Sequence, residues 1–539
     1  LNDGTEDLVG SSFLGEQENS RTSNFFISDL TGLNIDNNLL YRLRLNKPRR
    51  TISFNLAGGY SLSTGTNEQA YVNEFFQTSA PPVDSLQQQG DLDQIGYNYG
   101  VNVNFTEPLG RSGMMMLNYR YNFRRTDSEV TTFDFSEASG SFDELNELQS
   151  NVFLSDYRTH DIGLGYNLRI GSAFVMARVQ GQWANLDNEQ EFPFSTNLNQ
   201  SFFSVQPMLI ARYGQRRGGS NIRLIYRANA QAPSATQLQE VLDNSNPILL
   251  SIGNAGLEQS IAHNVFIRWN KLSKDRTKVF YGLLGGTFTN NYIGSATYLQ
   301  ETDAPIFDRV ELTRGSQLTQ PVNLDGQYNL RALVTYGLPV QALKSNLNLS
   351  VESNLARTPS LLDDLNNEAT SHTYGAGVTI SSNISEKVDF TISTNLSVNN
   401  TNNSLRSDFD SRYYNQRSKL KLNLIFGPDL VFNTQLSHQY FDAFNDDFNQ
   451  NFWLWNISLG KQIFTNRRGK IALSVFDALK QNNALQQNVT GTYVENLQSL
   501  VLQRYFMLSF TYQLRHFGKV PEKDPEQDRF ERMRRFMGF

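Results

Sequence analysis

Apolar and polar residues alternate along this chain in segments of about ten, the period-two pattern of strands with one face in lipid and one in water. The clearest copy lies near the C-terminus, where Phe506, Leu508, Phe510, Tyr512 and Leu514 interleave with Met507, Ser509, Thr511, Gln513 and Arg515. Successive side chains of a strand point to opposite faces, so the five large apolar residues share one side. The same reading applies to Ile52, Phe54, Leu56 and Tyr60 against Ser53, Asn55 and Ser61, and to Leu117, Tyr119, Tyr121 and Phe123 against Asn118, Arg120, Asn122 and Arg124. Around 419–426, Leu420, Leu422, Leu424 and Phe426 oppose Lys419, Lys421 and Asn423. The pattern predicts an all-β fold, a large antiparallel transmembrane β-barrel with a wet, hydrogen-bonding lumen. Arg120, Arg124, Arg223, Arg227, Lys419 and Lys421 are its candidate lumen-facing charges.

The connections support the same fold. Short turns such as Asn46-Lys47-Pro48-Arg49, Glu107-Pro108-Leu109-Gly110, Gly171-Ser172, Lys274-Asp275-Arg276 and Gly427-Pro428-Asp429 alternate with long polar stretches. Those stretches cover 63–92, 125–152, 185–200, 231–257, 294–321, 357–370, 402–410, 442–451 and 478–499. Bacterial barrels have short periplasmic turns and long outer loops, which assigns the sides and gives about nineteen spanning segments from Asp36 onward, twenty with one near 23–30. The expected organisation is an incomplete N-terminal segment over 1–35 with room for one strand, a barrel over 36–517, and a charged periplasmic tail over 518–539. In that tail Phe530, Met533, Phe536 and Met537 fall near helical spacing among arginines.

Composition narrows the class. The 539 residues are 39% hydrophobic, with 37 Phe and 23 Tyr, and the mean hydropathy of −0.45 is too low for a helical membrane protein. A barrel needs only alternate apolar residues, so it crosses a bilayer while scoring as polar, and aromatics supply its interfacial girdles. The absence of Cys excludes disulfides, thiolate metal sites and cysteine catalysis. The net charge of −6, without a basic cluster in the body of the chain, gives nucleic-acid binding no support. The five histidines, His160, His263, His372, His438 and His516, lie in separate segments without metal-ligand spacing. In Ser437-His438 and His160-Asp161, strand neighbours point to opposite faces, so neither pair forms a dyad. No catalytic residue, metal or cofactor is expected. No secretion signal opens the sequence, although an outer-membrane protein needs one for export.

Two stretches carry a family resemblance. The first runs from Tyr226-Arg227-Ala228 through Gln231-Ala232-Pro233-Ser234 and Gln237-Leu238 to Asn246-Pro247 and Gly253-Asn254-Ala255-Gly256-Leu257-Glu258. It resembles a loop of TonB-dependent receptors, and makes Pro233, Asn246, Pro247 and Asn254 the candidate ligand or partner loop. The second, residues 475–482 followed by 503–508, is similar to the closing hairpin of the Bacteroidota branch of those receptors; residues 43–51 resemble a turn of the same branch. The resemblance implies an outer-membrane barrel of about 22 strands, a plug at its N-terminus, and nutrient uptake driven through TonB, with outer-membrane lipid and lipopolysaccharide around it. Some 35 residues before the first clear strand are too few for a plug, so the chain is expected to be the C-terminal portion of a longer protein. The alternative expectation is a non-enzymatic structural or accessory barrel subunit working with other outer-membrane or periplasmic proteins.

Overall fold

The computed structural model describes residues 2–513 apart from 15–16, 77–82, 148, 194, 215–218, 239, 241, 244–248, 300–316, 383, 386, 408–409, 428, 443–449, 465–467, 483, 490–493 and 500. Among the described residues, one sheet of 25 strands dominates. Its wall is a meander in which each long strand pairs antiparallel with the next, from Asn2–Leu14 and Gln17–Arg44 to Gly469–Phe476 and Tyr505–Tyr512. Among the described residues, no pairing joins the last of these strands to the first. Fewer strands run through the wall than the sheet contains, because short strands at Ser141–Leu145, Leu242–Asp243, Leu249–Ile252, Tyr292–Leu299 and Gln317–Leu324 belong to its outer end.

The short connections lie where the sequence predicts them. Gly171 (φ 55°) and Gly427 (φ 56°) hold the left-handed backbone that a tight turn needs and a Cβ would strain. The turn at 45–50 is locked to its neighbour: Lys47 Nζ donates to Glu107 at 2.5 Å, Arg50 donates to both Glu107 oxygens at 2.6 and 2.9 Å, and Arg49 donates to the Arg111 carbonyl at 2.8 Å. These charge-assisted bonds hold the Glu107 carboxyl down at about 2, with Arg50 the larger cause and Lys47 the next. At the turn on the other side of the wall, the Ser273 hydroxyl and then the hydroxyl and amide of Thr277 bring Asp275 to about 2.

Three expectations about strand extent are corrected. Segment 1–35 holds the strand Asn2–Leu14 and most of Gln17–Arg44, so no boundary falls at residue 36. Much of the expected loops 63–92, 125–152 and 185–200 is strand, within Thr51–Phe75, Val83–Leu109, Gly113–Ser136 and Ala173–Phe192. Above the bilayer both faces of a strand are wet, so its sequence loses the apolar alternation and reads as loop. Segment 357–370 is no long loop: Leu362 pairs with Leu365 across Asp363 and Asp364, at φ 48° and 63°. Two positive-φ residues in succession form the hairpin turn whose twist suits antiparallel strands. The tail 518–539 lies outside the described residues.

Candidate functional site

Register divides the wall into two faces. Lys419 opposes Ser393 and Ser437, and Lys421 opposes Thr391 and Gln435. The two lysines, Thr391, Ser393 and Gln435 line a concavity with Asn395, Asn456, Ser458 and Ser474, so both lysines face inward. The opposite face carries exposed Ile392, Leu396, Leu459 and Leu473. Four histidines lie outside the lumen, each against an aromatic ring: His160 by Tyr121 at 4.8 Å, His263 by Tyr226 at 6.2 Å, His372 by Tyr374 at 3.9 Å and His438 by Trp453 at 4.4 Å. His160 opposes Trp183, whereas Asp161 opposes Gln182. Neighbours in the chain therefore occupy opposite sides of the wall.

The other candidate charges share the polar face. Arg120 opposes Asn102 and Asp161. Its Nε lies 3.7 Å from the Asp161 carboxylate, whose side chain is 1% exposed and also accepts from Gln182 Nε2 at 2.9 Å. Arg124 opposes Tyr157 and sets its guanidinium 5.8 Å from that ring. Arg227 opposes Met208 and Asn264, and Arg223 opposes Arg212 and Arg268. The wall thus presents guanidinium, ammonium and amide groups inward.

The described residues of loop 231–257 fold into the mouth. Ser234 and Gln237 form a reciprocal capping box, Gln237 N to Ser234 Oγ at 3.2 Å and Ser234 N to Gln237 Oε1 at 3.0 Å, which starts the one-turn helix Ala235–Leu238. Leu238 (3% exposed) and Leu257 (1%) bury against Leu186 (2%) of the inner wall, with Tyr157, Leu198, Phe202 and Ile293 packed around them. Pro233 is buried at the entry to this turn. The return strand Leu249–Ile252 pairs in parallel with Gln317–Leu324, placing Leu250 on Leu318. Burying such side chains contributes about 1.5–3 kcal/mol each, enough to hold a loop that water would otherwise solvate.

Asn254 fastens the two halves of this mouth. Its amide N–H donates to the Gln237 carbonyl at 2.7 Å, its Nδ2 to the Pro321 carbonyl at 3.0 Å, and its Oδ1 accepts from Gly256 N at 2.8 Å. Gln320 Nε2 reaches the Gly253 carbonyl at 3.1 Å, and Asn323 pairs with the backbone of Glu258 in both directions, at 2.8 and 3.1 Å. Asn246 and Pro247 lie outside the described residues. The partner strand Gln317–Leu324 was missed as a site element; its signal was the polar, Gln- and Asn-bearing run Gln317, Gln320 and Asn323 beside Pro321.

No curated protein sequence matches the chain. Among solved structures, the chain is similar to the siderophore receptor PirA from Pseudomonas aeruginosa, with 11% identity over 92% of this chain and 76% of that one and a TM-score of 0.40. It is similar to the copper transporter OprC, with 9% identity over 95% and 80% of the two chains and a TM-score of 0.44. The unliganded ferric citrate transporter FecA gives 9% identity over 94% and 72%, with a TM-score of 0.43. The model of the outer membrane protein beta-barrel family matches residues 43–512. With that match over a wall that is apolar outside and polar within, the chain belongs to the outer membrane protein beta-barrel family and resides in the bacterial outer membrane.

Proposed function

We propose that this barrel is an outer-membrane receptor for nutrient uptake energised through TonB, with loop 231–257 and the strands 292–299 and 317–324 forming its ligand-receiving mouth. The observation that carries the reading is the loop itself, which seats Leu238 and Leu257 on the inner wall at Leu186 instead of standing in solvent. A loop packed by its own side chains over a polar lumen is a device for receiving and admitting a ligand. The basic and amide inner face below it suits a polar, hydrogen-bonding solute. Coupling to TonB rests on the resemblance of 226–258, and of 475–482 with 503–508, to such receptors.

The test compares cells carrying the wild type, a deletion of 235–252, and no copy, scored for fitness across single carbon sources and metal chelates, with and without TonB depletion. The receptor reading expects one nutrient on which the deletion matches the null, and on which TonB depletion removes the wild-type advantage. The deletion should retain heat-modifiable gel mobility, because wall strands hold the barrel. A second reading, an accessory barrel of an outer-membrane complex, is favoured by the strands of 19–28 residues on one side, which outreach the bilayer and offer a partner surface. Loss of a co-purifying protein, without any nutrient phenotype, would select it.

A further inference from the structure

Five adjacent strands place one registered row across the inner wall near its periplasmic end: Arg169 opposes Phe174, Phe174 opposes Arg212, Arg212 opposes Arg223, and Arg223 opposes Arg268. The row continues through Leu283 and Leu333 to Glu352, and the last two line an inward concavity, so the arginines face the lumen. Arg169 and Arg212 flank the Phe174 ring at 5.6 and 5.7 Å. Their planar guanidinium groups are thereby preordered. Elsewhere, Arg50 pairs with Glu107, Arg120 with Asp161 and Arg331 with Glu352. Among the described residues, Arg169, Arg212 and Arg223 have no ion pair.

Like charges directly opposite on neighbouring strands repel. Register nevertheless stacks Arg212 on Arg223 and Arg223 on Arg268, within a span of about 10 Å set by the strand spacing. The positions two residues along from Arg212 and Arg223 on the same face, Ile210, Gly214, Asn221 and Ile225, supply no carboxylate. We propose that Arg169 and Arg212, ordered around Phe174, and Arg223 beside them form a lumenal site for an anion bearing two or more carboxylate or phosphate groups, at the edge of which register sets Arg268. Such a ligand bridges neighbouring guanidinium forks by bidentate hydrogen bonds and relieves the repulsion along the row. The site lies at the far end of the strands from the mouth and does not depend on what loop 231–257 receives.

The experiment titrates the purified full chain in detergent with inorganic pyrophosphate and, separately, with citrate, by calorimetry at low salt. Saturable binding of either probe is expected, and Arg212→Gln and Arg223→Gln should each weaken it about tenfold or more. Arg227→Gln, four residues along the same strand and opposite Met208 and Asn264, should leave it within about twofold of wild type. Arg223→Lys should fall between, because it keeps the charge and loses the fork. Pyrophosphate binding alone assigns phosphate, and citrate binding alone assigns carboxylate. Failure of the wild type to bind either probe overturns the site, as does an Arg227→Gln loss equal to that of Arg223→Gln. Unchanged far-ultraviolet circular dichroism keeps the variants comparable.

Discussion

The two sides of this wall are built to different heights. From Gln17–Arg44 to Thr196–Gly214 the strands run 19–28 residues, whereas from Ser260–Leu272 to Gly469–Phe476 they run 8–18. A tilted strand needs about 9–11 residues to cross a bilayer, so the first side rises far above the membrane and the second largely ends near it. The tall part is also acidic: 63–95 carries Glu68, Glu74, Asp84, Asp91 and Asp93 without a single Lys or Arg, and 126–156 carries only acidic charges. At the other end, 41–53 carries Arg42, Arg44, Lys47, Arg49 and Arg50 and no acid. Lipid dictates sequence only over part of each strand. Beyond the bilayer, backbone pairing continues without the apolar alternation, and the inner face of the tall side serves as the seat for the mouth loop.

The largest expected effect tests that seat. Leu257→Ala removes a fully buried side chain at the tall inner wall and should weaken docking of the mouth by about 2–5 kcal/mol. Hydrogen exchange should then rise in 233–257 while the wall strands stay protected; uniform loss would mean that mouth and wall form one cooperative unit. Next, on the short side, Leu422→Arg should cost about 2–4 kcal/mol if near the bilayer midplane, since lipid cannot solvate a guanidinium. Lys421→Leu, on the inward face, should cost much less. Denaturant unfolding in bilayers measures both, and equal costs would break the assignment of faces.

Smaller still is Val72→Arg on the tall side. Val72 is an outward residue near the far end of Thr51–Phe75, and water there should accept the charge within about 0.5 kcal/mol. A cost matching Leu422→Arg would place lipid at that height and erase the distinction between the sides. The smallest effects concern the turns. Glu107 and Asp275 both have folded values near 2, below the unfolded carboxylate range of about 4. Their contribution is therefore complete above about pH 4 and lost as pH falls towards 2. Glu107→Gln and Asp275→Asn should each flatten the acid limb of stability. Salt should diminish the Glu107 contribution, which rests on Arg50 and Lys47, and spare that of Asp275, which rests on neutral hydroxyls. An identical salt response would contradict those causes.

Much of this was legible in the chain. The alternation at Leu420, Leu422 and Leu424 marked a membrane strand, and Gly171-Ser172 and Gly427-Pro428-Asp429 marked turns, because period and left-handed backbone are local properties. Pro233 and Asn254 marked a structured loop, and the structure shows what that loop packs against. The tall extensions were illegible, since residues such as Thr64, Thr66 and Gln69 are polar on both faces of a pleat with water on both sides. Asp363-Asp364 passed for part of a loop because aspartates tolerate positive φ yet do not announce it.

The sequence alone determined which residues share a strand face, where the short turns fall, and that one face suits lipid while the other suits water, since a two-residue period needs no partner strand to be read. The tertiary structure alone decided which residues face one another across strands. Arg169, Arg212, Arg223 and Arg268 became one row, and Leu186, Leu238 and Leu257 one cluster, only through register and loop docking. Sliding a strand by one residue turns every side chain to the other face, and sliding it by two keeps the alternation while changing every neighbour. That choice is fixed by the summed pairing of whole strands and by the burial of distant leucines, quantities that no local stretch of the chain contains.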